Sequence, residues 1–232
     1  MNEGRTGGRS VRMFKESRAE FLMRWYLYRR WKKRISPLRQ SEYNFHTIIP
    51  RLRDRGDIFI DLGANIGDVT LAARRYGMRV IAFEPDPIAR AVLEARTNDD
   101  SGITIIPKAV GGLARIATFH QRPDVDDLMK TQSSSLVLTH EHTGGNTFDV
   151  EVVNIVDFIN EVDGRIAALK MDIEGAEAEC LEAMLDAGSH RRIGYMFIET
   201  HEGFSDEIRE RISALRTRIL SEKIDNIDLD WV

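Results

Sequence analysis

The segment Asp61-Leu62-Gly63-Ala64-Asn65-Ile66-Gly67 constrains the fold of this chain more than any other. It ends the apolar run of residues 57–62 and precedes a helical pattern over residues 68–76, so it reads as a turn from a buried strand into a helix. Glycine admits positive φ and a close approach of backbone to a ligand. Asparagine tolerates the left-handed region better than most residues. A strand, a glycine-rich turn and a helix in that order open a ligand-binding α/β domain.

The rest of the chain keeps the same rhythm. Residues 79–84 form a second strand pattern, 87–97 a helix and 103–107 a third strand. After an irregular stretch, strands are expected at 148–153, 167–172 and 195–200, with helices at 155–162, 177–187 and 206–221. Residues 227–232 suit an edge strand, and 116–120 a further strand. Strands alternating with helices at this spacing predict a Rossmann-like α/β fold around a mainly parallel sheet, with helices on both faces. Residues 121–146 are polar and long for a loop in a compact domain, which marks them as functional or mobile.

The spacing within the turn narrows the ligand. A dinucleotide-binding turn is usually G-x-G-x-x-G, with the pyrophosphate on the helix N-terminus. Here Asn65 and Asp68 stand at the second and third glycine positions, and an aspartate there repels a diphosphate. The turn suits a nucleoside ligand without phosphates, and S-adenosyl-L-methionine is such a ligand. Glu84 lies about 20 residues beyond the turn, at the end of the next strand, where an acid accepts hydrogen bonds from ribose hydroxyls. Asp61 is placed to receive the methionine ammonium. The expected cofactor residues are therefore Asp61, Gly63, Asn65, Gly67 and Glu84.

A second cluster follows at Lys170-Met171-Asp172-Ile173-Glu174-Gly175-Ala176-Glu177. Together with the D-x-G-A-N-x-G turn and the strand end Phe83-Glu84-Pro85, it resembles the FkbM family of methyltransferases over about residues 57–203. The Ser133-Ser134-Ser135-Leu136 stretch looks like the family as well. The resemblance implies the seven-stranded methyltransferase sheet and O-methylation of a hydroxyl on a small molecule, saccharide or glycolipid. Two alternatives are an NAD-dependent oxidoreductase, disfavoured by the missing third glycine, and a non-catalytic module that binds S-adenosyl-L-methionine.

Methyl transfer to an alcohol needs alignment and a base at or after transfer. Asp172 ends a strand beside the crevice where open α/β sheets bind ligands. His201 follows the next strand and titrates near neutrality when unperturbed. Asp172, His201 and Glu174 are the expected catalytic residues, with Glu199 in support. The competing structural roles are a helix-capping Glu174 and a Lys170 that only pairs with a carboxylate. Asp172, Glu199 and His201 also make an oxygen/nitrogen set for a metal, but no compact ligand motif accompanies them and no metal is expected. His140 and His142 read as solvated loop residues, and His46 and His190 have no partner visible in the sequence.

Charge divides the chain. Residues 1–40 carry twelve Lys/Arg against three Glu, or +9, whereas the remainder carries twenty-one against thirty-four Asp/Glu, or −13. The acidic part offers no surface for tracking phosphates, which argues against nucleic acid as a partner. Two domains are expected: a basic, partly disordered and helical N-terminal extension over 1–50, and the methyltransferase domain over 51–232. The aromatic and cationic residues at 14–35 fit a helix that packs on the acidic domain, as a lid or a homo-oligomer contact, or one that touches a membrane peripherally. The single cysteine excludes an intrachain disulfide, and no apolar run nears the ~18 residues of a membrane span. A cytoplasmic location is expected.

Overall fold

A computed structural model describes residues 37–52, 58–121, 134–137 and 143–231. The helix expected at 14–35, the loop histidines His140 and His142, and Ser133 lie outside the described residues. In chain order the elements are α1 (Pro37–Leu52), β1 (Ile58–Leu62), α2 (Asp68–Arg75), β2 (Arg79–Phe83), α3 (Pro87–Thr97), β3 (Ile103–Ile106), β4 (Ala109–Gly111) and β5 (Arg115–His120). They continue with β6 (Thr147–Asn154), α4 (Ile155–Glu161), β7 (Ile166–Met171), α5 (Glu177–Ala187), a 3₁₀ turn (Ser189–Arg192), β8 (Ile193–Glu199), α6 (Asp206–Ser221) and β9 (Ile227–Trp231).

Every residue of β1 and of β7 is buried. That is why both read as continuous apolar runs: a parallel strand covered on both faces has no solvent side. The main sheet has the order β3-β2-β1-β7-β8-β9, and each neighbouring pair is parallel. Side chains leave the two faces alternately. Ile58, Ile60 and Leu62 enter a core shared with α4, α5 and α6, and Phe59 enters one shared with α1, α2 and α3. Helices therefore cover both faces, as expected.

The expected seven-stranded sheet is corrected to six strands among the described residues. The strands of the irregular stretch do not join it. β5 pairs antiparallel with β6, β6 pairs parallel with β4, and the three form a separate small sheet. Strand propensity marks such segments as extended, but the partner is chosen by packing.

α1 straddles the boundary expected at residue 50 and is bound into the domain. Phe45 packs its ring against Phe59, Phe197 and Trp231 at centroid distances of 5.7, 5.6 and 5.9 Å. Ser41 donates to the carbonyl of Asp230 at 3.4 Å, which places the start of α1 beside the end of β9. Local capping fixes the helices that frame the site. Asp86 accepts from the Ile88 amide with Pro87 in the first turn of α3, and Ser205 accepts from the Ile208 amide at the start of α6. Among the described residues, no helix is long and apolar enough to cross a membrane.

Candidate active site

The chain runs outward from β1 to β3 and then returns to the other side of β1 as β7. At such a switch point the connecting loops part and leave a crevice at the carboxyl ends of the strands. A cavity of about 380 Å³ lies there, lined by the 63–66 turn, Glu84, Pro85, Lys108, Phe119, Ser134, Asp172, Glu174, Glu199 and Trp231, among others.

On the β1 side the turn is built against its protein neighbours. Gly63 has φ +77°, and a Cβ placed on it would lie 1.8 Å from the carbonyl oxygen of Asp172. At Gly67, with φ +92°, a Cβ would lie 2.4 Å from Leu93 Cδ1. Both glycines are thus demanded by close packing with the β7 loop and α3, where the sequence suggested approach to a ligand. Gly63 lines the cavity, whereas Gly67 stands behind it. Asn65 takes φ +48°, its side chain accepts from the Ile66 amide at 2.6 Å, and its own amide donates to Glu84 Oε2 at 2.7 Å.

Glu84 is held from two sides, because Oε1 also accepts from the Asp86 amide at 2.8 Å. It is buried in the cavity wall. Burial pushes its carboxyl up to about 7, against the pull of the two backbone hydrogen bonds. Each oxygen keeps a lone pair free for a further donor.

Asp61 is placed differently from the expectation that it receives an ammonium from the ligand. It is fully buried and not at the cavity wall; one oxygen accepts from Thr70 Oγ1 at 2.6 Å. The other lies 3.8 Å from the ammonium of Lys170, a residue of the molecule itself. Lys170 donates to the Gly63 carbonyl at 2.7 Å and lies 3.1 Å from Asp172 Oδ2. Burial works against its charge, but Asp172 and Asp61 outweigh that and hold its pKa above the usual lysine range. Lys170 does more than neutralise one carboxylate: it ties together the turn, Asp61 and Asp172.

On the β7 side, Glu174 adopts φ +57° and Gly175 φ +105°. The bent loop is fastened by Glu177, at the first position of α5. Its carboxylate accepts from the Ile173 amide at 2.8 Å and the Gly175 amide at 2.9 Å. The capping role considered for Glu174 belongs to Glu177. The second acid of the E-G-A-E string was the signal, since an acid in the first helical turn reaches back to free amides. Ser135 also holds this loop, donating to the Glu174 carbonyl at 2.5 Å.

His201, expected as a base, is placed between two acids of the β7 loop. Nε2 lies 3.1 Å from Glu174 Oε2 and Nδ1 3.0 Å from Glu177 Oε1, with Asp172 Oδ1 at 3.8 Å. Burial disfavours its charge, but the bonds to Glu174 and Glu177 prevail and push it up to about 11. An imidazolium at neutral pH has no lone pair with which to take a proton. Glu199 instead lines the cavity, and burial together with the Asp172 charge raises it to about 7. Asp172, Glu199 and His201 present ligand-type atoms within 4.8 Å of one another, but both ring nitrogens of His201 are engaged by carboxylates. The histidines without visible partners have structural ones: His46 Nδ1 bonds Tyr76 at 2.8 Å, and His190 bonds the Met184 carbonyl at 3.4 Å.

The chain is similar to known proteins. The family model described as the methyltransferase FkbM domain matches residues 61–223. The chain is 30% identical over 184 residues to the methyltransferase sdnD of Sordaria araneosa, an alignment spanning 67% of this chain and 70% of that protein. It also aligns with the crystal structure of the SAH-bound Podospora anserina methyltransferase PaMTH1, over 90% of this chain and 89% of that one. That superposition has a TM-score of 0.41 and 11% identity.

Proposed function

Because the chain belongs to the FkbM methyltransferase family, we propose that its cavity binds S-adenosyl-L-methionine and that the methyl goes to a hydroxyl of a small molecule, saccharide or glycolipid. The observation that carries the donor reading is the buried Glu84 carboxylate, fixed by the Asn65 and Asp86 amides with lone pairs to spare for two ribose hydroxyls. At the place of a third glycine stands Asp68, whose carboxylate, paired with Arg96 at 2.6 Å, opposes a diphosphate. That arrangement gives the NAD reading no support.

When bound, the donor supplies a methyl group on a sulfonium, already a good leaving group. The chain's own residues align the acceptor and receive its proton. The acceptor hydroxyl would replace the sulfur on that methyl, and its proton would pass to a carboxylate of the chain. Glu199 is the residue for that step, because it faces the cavity and its pKa of about 7 matches a base working near neutrality. Asp172, also in the wall and anchored by Lys170, orients the hydroxyl. Glu174 and His201 hold the loop that presents Asp172. Trp231 gives the cavity an aromatic wall, backed by Phe197 at 5.3 Å, on which the apolar face of an acceptor ring can rest.

Conversion of S-adenosyl-L-methionine to S-adenosylhomocysteine with panels of sugars, glycolipids and polyketide alcohols tests the reading. Glu199→Gln should leave S-adenosylhomocysteine affinity unchanged and slow transfer by about 10²- to 10⁴-fold. Full activity in that variant would remove Glu199 from the mechanism. Donor binding without turnover on any panel would favour a non-catalytic module.

A further inference from the structure

Glu199 and Trp231 are register partners on the parallel pair β8–β9, and both line the cavity. Neighbouring strands lie about 5 Å apart, so a carboxylate and an indole stand side by side in one wall. Among the described residues, nothing hydrogen-bonds or ion-pairs with the Glu199 carboxylate. It lies within 4.8 Å of the carboxylate of Asp172. Like charges that close disfavour each other's ionised form, and burial together with the Asp172 charge raises Glu199 to about 7.

The cations nearby are already committed. Lys170 is shared by the Gly63 carbonyl, Asp172 and Asp61, and His201 is held between Glu174 and Glu177. Lys108, also in the cavity wall, pairs with Glu151. The wall carries Asp68, Glu84, Asp172, Glu174 and Glu199 against Lys108 and Lys170 among the described residues. The cavity is therefore electronegative, and its one unanswered carboxylate stands beside an aromatic ring. A metal ion fits this poorly, since neither ring nitrogen of His201 is free. An organic ammonium needs no nitrogen ligand: it donates to carboxylate oxygens and rests on the indole face.

We infer that the acceptor carries an ammonium beside the hydroxyl to be methylated, as a 1,2-amino alcohol or an amino sugar does, with the cation set against Trp231 and Glu199. The inference rests on the methyl-transfer reading above. One oxygen of Glu199 then bonds the ammonium while the other receives the hydroxyl proton, and acceptors without the positive charge are disfavoured.

The test titrates trans-2-aminocyclohexanol, its N-acetyl derivative and trans-1,2-cyclohexanediol into the free and the S-adenosylhomocysteine-loaded protein, followed by ligand-observed NMR. The amino alcohol should bind about tenfold more tightly than the diol, and acetylation, which removes the charge, should abolish the advantage. Glu199→Gln should reduce the ratio to about twofold or less. Trp231→Leu should lower it as well, and Trp231→Phe, which keeps an aromatic face, should retain most of it. The readout is a ratio of affinities, which a general loosening of the pocket does not imitate; Glu199→Gln carries the test if the leucine variant misfolds. Equal binding of diol and amino alcohol, no binding of any of the three, or an unchanged ratio in Glu199→Gln would overturn the inference. Binding of S-adenosylhomocysteine in the same samples would leave the donor reading standing, with the carboxylates answering the donor's sulfonium alone. An amine preference in a protein that binds no S-adenosylhomocysteine would remove the donor reading, and with it the acceptor role of the ammonium site.

Discussion

The ammonium of Lys170 lies 2.7 Å from the carbonyl oxygen of Gly63, so the end of β7 is bolted to the turn that follows β1. The same cation is the nearest positive charge to the fully buried carboxylate of Asp61. Lys170→Met should therefore cost about 3 kcal/mol or more, because it strands a buried negative charge. Urea denaturation measures this. A loss below about 1 kcal/mol would show that Asp61 needs no cation. The double variant Lys170→Met/Asp61→Asn should recover much of the difference.

Gly63→Ala faces two penalties, a positive φ and a Cβ placed 1.8 Å from the Asp172 carbonyl. The first alone is worth about 1–2 kcal/mol, and the overlap adds about 1–3 more. Loss of the cooperative melting transition, or a large fall in its midpoint, is expected. An unperturbed midpoint would mean that the two loops separate readily.

His201 carries the clearest pH signature. Its folded-state pKa of about 11 stands above the ordinary 6.5, so its contribution is complete below pH 6.5 and is lost as pH rises towards 11. Stability of the wild type should decline across that window. In His201→Asn the decline should be shallower and the starting stability lower, which denaturation series between pH 6 and 10 would show. Parallel curves for the two proteins would contradict the placement of His201 between two acids.

Donor affinity should depend on pH in the opposite sense. In the proposed donor site, ribose hydroxyls would donate to the ionised form of Glu84, whose carboxyl burial raises to about 7. Below pH 7 a proton must leave before the donor binds, so S-adenosylhomocysteine affinity should fall by up to about tenfold per pH unit. Glu84→Gln should bind weakly and lose most of that dependence. A wild-type affinity flat from pH 5.5 to 8 would exclude Glu84 as the titrating acceptor.

The parts of the site that were legible in the sequence are those written locally. The 61–67 turn, the Glu84 strand end and the 170–177 string each sit on consecutive residues, and their spacing specifies backbone shape. What escaped was set by distant pairings. Lys170 meets Gly63 across 107 positions, and Ser135 meets Glu174 across 39. Histidine suggested a base because its free pKa is near neutral, yet the two carboxylates beside His201 decide its state. Likewise, the pattern of residues 115–120 and 147–154 marked strands without saying that they would build a second sheet.

The contact between Gly63 and the Asp172 carbonyl also limits how the pocket can be retuned. With 1.8 Å between that oxygen and the place a side chain would begin, residue 63 can carry no Cβ unless the backbone at the tip of β7 moves away. If the proposed acceptor side is right, a relative with a different acceptor would be expected to change the side chains at 172, 174, 199 and 231 while keeping glycine at 63. Engineering for new acceptors should follow the same course, with libraries at those four positions on an untouched main chain.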